Sequence, residues 1–227
     1  PKLAFTPSSA DVAERKTFTI SCLVKRGIIS TTQYLLEMGG NDNANDRFFA
    51  RFDVSNKLKI SDSGTIYRET NRLFRDPSAW YHIVATADSD TQSGANIYNV
   101  YVNGEQLTNS DGSTHVPDDT ATKILANGIT TYIGDDTDGA YHFDGYLAEM
   151  HVIDGSVVAH TEFGETKDGV WVPKSYSGSY GNNGFYLSFA DSSAIGDDLS
   201  GNTNDFTATN LAATDVVQDS PTNNFAT

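Results

Sequence analysis

Short runs of alternating apolar and polar residues, each ended by Gly, Asp or Asn-Gly, recur along most of this chain. The clearest are A-W-Y-H-I-V-A-T-A-D at Ala79–Asp88, V-Y-V-N-G at Val100–Gly104 and F-D-G-Y-L-A-E-M-H-V-I-D-G at Phe143–Gly155. Side chains on a strand point alternately to its two faces, so this period of two marks half-buried antiparallel strands. Lys16–Lys25 reads as a long strand with Phe18, Ile20 and Cys22 on one face and Val24 extending that row. Further strands are predicted at Leu3–Thr6, Thr31–Met38, Arg47–Val54, Leu58–Ile60, Thr65–Glu69, Arg72–Phe74, Ile97–Val102, Ile129–Ile133 and Tyr146–Ile153. G-G-N-D-N-A-N-D at Gly39–Asp46 is a hairpin loop dense in turn formers, and Asn103-Gly104 is the strongest single hairpin signal. Helical period is nearly absent; Val158–Phe163 has room for one turn. These elements predict an all-β protein, a sandwich of two antiparallel sheets.

After Gly164 the texture changes to loops rich in Gly, Asn and Tyr, broken by V-W-V-P-K at Val170–Lys174 and F-Y-L-S-F at Phe185–Phe189. L-A-F-T-P-S-S-A at Leu3–Ala10 and L-S-F-A-D-S-S-A at Leu187–Ala194 agree at five of eight positions. Too few residues follow Ala194 for a second sandwich, so we expect the two echoing segments to lie in similar settings and to pair where the chain returns to its start. Chance likeness of two strand-and-turn compositions is the alternative. The chain opens at Pro1 without Met and stops at Thr227 in a polar stretch, as a portion of a longer polypeptide would.

Composition narrows the function. With 12 Phe, 11 Tyr and 2 Trp the chain carries enough aromatic surface to fold despite its many small polar residues. A net charge of −15 without a basic patch argues against nucleic acid. No run of apolar residues is long enough for a membrane helix, and no signal peptide is evident. Cys22 is alone, which excludes an internal disulfide; in the middle of a strand it reads as a small buried hydrophobe.

The motifs Trp80-Tyr81-His82-Ile83-Val84, Y-V-N-G at Tyr101–Gly104, Ile133-Gly134 and F-D-G-Y-L-A-E-M-H-V-I-D-G, in that order, resemble the laminin G-like and pentraxin-like branch of the concanavalin A-like lectin/glucanase superfamily. The resemblance spans about Leu3 to Gly155 and implies a jelly roll of two antiparallel sheets. It frames residues 1–207 as one laminin G-like sandwich, with 164–207 as a wrapping arm and closing strand and 208–227 as a linker towards a further domain. A second resemblance runs from the F-D-G strand through G-V-W-V-P-K-S-Y-S-G-S-Y to D-S-P-T-N-N-F-A-T at the end. It is similar to virion proteins of tailed phages, which implies a place on the virion surface, made in the host cytoplasm, in a tail fibre or tailspike. Implied partners are a host-surface glycan, other virion proteins and further copies of the chain, a trimer among the forms open to it.

The chemistry of individual residues points to binding more than to catalysis. Retaining glycosidases place two carboxyls about 5 Å apart; the glucanases of this fold do so with a Glu-x-Asp-x-x-Glu run, and none occurs here. Glu149 and His151 read instead as solvent-facing partners of buried Ala148, Met150 and Val152. His82, His115, His142, His151 and His160 are scattered, and no nucleophile elbow or zinc spacing accompanies them. Calcium takes six to eight oxygens, and G-D-D-T-D-G-A-Y-H-F-D-G at Gly134–Gly145 offers Asp135, Asp136, Asp138 and Asp144. Laminin G-like domains bind calcium at rim loops, which supports this ion as a candidate cofactor; Asp197–Asp205 is a second candidate loop, and a plain Asp-rich turn is the alternative for both. Glycan stacking calls for aromatic rings in polar surroundings, and Trp171, Tyr176, Tyr180 and Tyr141 qualify. Core or subunit contacts are the alternative for these four, and V-W-V-P-K reads as an extended arm whose Trp171 anchors it against the sandwich. The resulting expectation is a non-enzymatic, carbohydrate-binding surface module; a capsid decoration without a ligand and a glycan-cleaving enzyme are the alternatives.

Overall fold

The computed structural model describes residues 1–8, 14–39, 47–63, 65–93, 97–107, 109–110 and 119–217. Gly40–Asp46 of the expected hairpin loop, His115 and residues 218–227 lie outside these. The strands are β1 (Lys2–Phe5), β2 (Thr17–Arg26), β3 (Gln33–Gly39), β4 (Arg47–Phe52), β5 (Leu58–Asp62) and β6 (Thr65–Thr70). They continue as β7 (Tyr81–Asp88), β8 (Tyr98–Val102), β9 (Glu105–Gln106), β10 (Asn109–Ser110), β11 (Thr131–Ile133) and β12 (Gly145–Asp154). The last four are β13 (Gly164–Lys167), β14 (Val170–Pro173), β15 (Phe185–Leu187) and β16 (Thr207–Thr209). Among the described residues helix is confined to single 3₁₀ turns, one of them His160–Glu162 inside the predicted helical stretch. Among the described residues no helix is long and apolar enough to cross a membrane.

The strands form two large antiparallel sheets. The first has the order β10-β6-β5-β4-β3-β11-β1-β16, the second β15-β12-β2-β7-β8-β9. Between them lies one apolar core to which β2 contributes Phe18, Ile20, Cys22 and Val24, the row the alternation predicts. Tyr81, Ile83, Ala85 and Ala87 of β7 and Met150 and Val152 of β12 face the same space. Phe18 meets Phe48 of the first sheet edge-on, ring centroids 5.3 Å apart. Cys22 is 2 % exposed, and burial pushes its thiol up to about 12, so it stays an inert apolar group.

Arg72–Phe74, predicted as a strand, is irregular. The reason is a buried arginine: Arg26 donates to the Phe74 carbonyl (2.7 Å), to Asn56 Oδ1 (3.1 Å) and twice to Gln33 Oε1. The Phe74 backbone is thereby drawn inward, and its ring closes the core between Phe52 and Tyr81, 5.1 Å from each. The echoing segments do not pair with each other. The chain does return to its start, but through Thr207–Thr209, which pairs with β1, while Phe185–Leu187 pairs with β12 in the other sheet. Phe206 bridges the two, 5.2 Å from Phe5 and 4.7 Å from Phe185.

A third layer covers the outer face of the second sheet. Residues 155–184, including the β13–β14 hairpin, lie over β2, β7 and β12 and shield Val84, Ile153, Phe163 and Tyr180 as a separate apolar cluster. Thr19 and Ser21, the polar positions of β2, are therefore buried. Thr19 Oγ1 donates to the Ser156 carbonyl (3.0 Å) and accepts from the Val158 amide (2.8 Å), tying the arm down. His151, expected to face solvent, is 4 % exposed beneath this layer.

Candidate functional site

Three of the four aromatic candidates lie along the seam between arm and sheet. The Trp171 indole donates to His82 Nδ1 (2.8 Å), so the proton of the neutral imidazole sits on Nε2, facing Ser21 Oγ at 2.9 Å. Burial, reinforced by His160, brings His82 down to about 4. His151 stacks on Tyr186, centroids 4.2 Å apart, and its Nδ1 is 2.8 Å from the Tyr180 hydroxyl. Burial, then His82, brings it down to about 3. Tyr180 is 6 % exposed, and Tyr176 packs on Phe163 at 4.9 Å. These rings hold the arm, with Trp171 set against His82 of the sheet. Tyr141 sits elsewhere, 45 % exposed and stacked 6.0 Å from Tyr34 of the first sheet.

The acidic candidates shape turns. Asp135 Oδ1 accepts from the Asp136 amide and its Oδ2 lies 2.9 Å from His142 Nδ1; Asp136 Oδ1 accepts from the Ala140 (2.7 Å) and Tyr141 amides. Asp138 and Asp144 are exposed. In the second loop Asp198 accepts from the amides of Tyr186, Ser200 and Asn204. Among the described residues no three His, Cys, Asp or Glu side chains converge in a metal-binding cluster.

A groove the sequence did not single out opens at one end of the sandwich, where β1, β11, the start of β12 and the segments after β15 and β16 meet. Its volume is about 790 Å³, within the range of small-ligand clefts. Trp80, Tyr146, Phe143 and Phe189 give it an aromatic lining. The Trp80 and Tyr146 rings are 6.4 Å apart and inclined by 49°, and Tyr146 is 45 % exposed. The Trp80 indole N–H finds no acceptor among the described residues. Asp144, Glu149, Ser188 and Asn210 add polar groups.

Glu149 reaches the groove because β12 carries a bulge. Ala148 pairs with Leu23 but His151 with Ser21, so β12 holds one residue more than β2 across this step. The core-facing row passes from Leu147 to Met150 and Val152, and Ala148, expected among the buried row, lines the groove instead. Glu149 takes the extra position with φ of 49° and accepts from the Tyr186 hydroxyl (2.6 Å). Phe189 (57°) and Asn210 (55°), also in the lining, share this left-handed backbone. Outside glycine such conformations are uncommon and gather at ligand sites. Parity was the available signal: Trp80 shares the outward face of His82. The bulge leaves no trace in the alternation.

A family model described as the concanavalin A-like lectin/glucanases superfamily (Laminin_G_3) matches residues 3–161. No curated protein is similar enough to the chain to count as a match. Among solved structures, the chain is similar to the CBM40 of the Ruminococcus gnavus IT-sialidase bound to alpha2,3 sialyllactose, with 19 % identity over 66 % of this chain and 82 % of that one, TM-score 0.48. It is similar to a native heptameric SAP-like pentraxin from Limulus polyphemus, with 16 % identity over 71 % and 73 %, TM-score 0.48. Domain 4 of AbnA, a GH43 extracellular arabinanase from Geobacillus stearothermophilus, in complex with arabinotriose, is a third, with 14 % identity over 63 % of each chain, TM-score 0.42. The matched family model runs from β1 to the 3₁₀ turn after β12, more than half of the sequence, and the protein belongs to the concanavalin A-like lectin/glucanase superfamily.

Proposed function

We propose that this chain is a non-catalytic carbohydrate-binding module and that the groove lined by Trp80 and Tyr146 is where the glycan sits. The observation that carries the reading is the pairing of an exposed aromatic ring with fixed polar groups in one cleft. Sugars present apolar C–H faces that stack on rings and hydroxyls that take defined hydrogen bonds. Tyr146 supplies the first kind of contact; Glu149, held by Tyr186, supplies the second. The proposal extends to biological context: the likeness of the C-terminal third to tailed-phage virion proteins supports a place in a tail fibre or tailspike, where such a module would recognise host-surface glycan.

A glycan array with the purified protein tests this. Binding should appear and should weaken about tenfold in Tyr146→Ala, the loss of one stacking contact of roughly 1.5 kcal/mol. Because Tyr146 is exposed, the variant should keep its fold, which circular dichroism checks. Binding unaffected by Tyr146→Ala would move the site away from the groove. Adsorption assays test the virion context: the protein should compete with a phage carrying it.

A further inference from the structure

The groove has a charge pattern that bears on which glycans can enter it. Three carboxylates line it, from Asp144, Glu149 and Asp215. Among the described residues Lys2 is the one basic side chain in the lining, and its ammonium lies 4.5 Å over the Tyr132 ring, a cation–π contact of its own. Lys25 stands just outside, 5.9 Å from the centre of the Tyr146 ring. Within the lining, the three carboxylates face two ammonium groups, those of Lys2 and the Pro1 amine, and among the described residues no arginine lines the groove. The field of the whole chain has the same sign, at −15.

An acidic sugar brings a carboxylate that must leave water on binding. In a site without a bidentate arginine partner that desolvation has nothing to offset it, and the neighbouring carboxylates add repulsion. A neutral sugar meets the opposite situation. Its hydroxyls are donors, and Glu149 Oε1 and the Asp144 carboxylate are acceptors, while its C–H face stacks on Tyr146. From this the geometry points to a specificity: the groove selects uncharged hexose or N-acetylhexosamine chains and rejects sialylated or uronic-acid-bearing ones. The inference rests on the groove being the glycan site, and it adds the class of ligand.

The experiment compares matched glycans that differ by one acidic residue, lactose against 3′-sialyllactose and N-acetylglucosamine oligomers against hyaluronan oligomers, with wild type and Tyr146→Ala. Binding should be confined to the neutral members, should fall in Tyr146→Ala, and should stay within about twofold between about 50 and about 500 mM NaCl, since no ion pair is screened. An acidic member that binds as tightly as its neutral counterpart, lost in Tyr146→Ala, overturns this specificity and leaves the groove reading intact. Signals from neither class, or signals indifferent to Tyr146→Ala, overturn the groove reading and this inference with it.

Discussion

At the scale of single residues, the Asn103-Gly104 turn carries two duties. Both residues have left-handed backbones, φ of 51° and 79°, as the tight hairpin between β8 and β9 demands. The second duty belongs to the missing side chain. A Cβ on Gly104 would lie 2.3 Å from Trp171 Cε3, so the glycine is the seat on which the arm's indole rests. Gly104→Ala combines backbone strain with a displaced Trp171 and should cost about 2–4 kcal/mol in urea denaturation; a loss below half a kcal/mol would show the arm re-seating freely. The turn is legible in sequence because Asn-Gly has a local cause. The seat is not, because its cause arrives from a residue 67 positions later (171 − 104).

At the scale of elements, the arm makes the second sheet a middle layer. Thr19, Ser21, His82 and His151 alternate with core residues as solvent-facing positions would, and they are buried because residues 155–184 fold over them. Periodicity reports that a face is polar; it cannot report that a polar face is covered by a segment whose own strand, G-E-T-K, shows no alternation. Coverage has a consequence for acid stability. His82 and His151 are held neutral in the folded chain, at about 4 and about 3 against 6.5 for the free group. The unfolded chain thus binds more protons below pH 6.5. Their contribution to stability is full above about pH 6.5 and is lost as the pH falls towards 4, on the order of 3 kcal/mol for His82 alone. Denaturation midpoints should be level from pH 8 to pH 7 and drop steeply between about pH 6 and about pH 4.5, less so in His151→Phe. An unchanged midpoint across that range would mean the seam opens to water in the native state.

At the scale of the whole molecule, the all-β class, most strand positions and the superfamily follow from alternation and a few strand-end motifs. The groove was hidden because it is assembled from stretches far apart in sequence, among them Trp80, the Phe143–Glu149 run, Phe189, Asn210 and the start of β1. None is unusual alone, and a bulge and three left-handed residues bring them together. Three of the aromatic residues that looked available in sequence, Trp171, Tyr176 and Tyr180, tie the arm to the sheet, whereas Trp80 and Tyr146, embedded in framework motifs, line the cleft.

The first sheet ends in β1 and β16, antiparallel, with Lys2 opposite Thr209. Tension entering at Lys2 and leaving at Thr209 therefore acts on one end of a three-pair ladder, which peels pair by pair instead of shearing all at once. Lys2, Leu3, Asn210 and Leu211 are also one wall of the groove. A glycan gripped between that wall and Tyr146 would brace the outermost strand, so single-molecule stretching should find β16 detaching at higher force with ligand bound; equal forces would mean the ligand does not span the two walls. Mechanical load and occupancy would then be coupled through one strand three residues long.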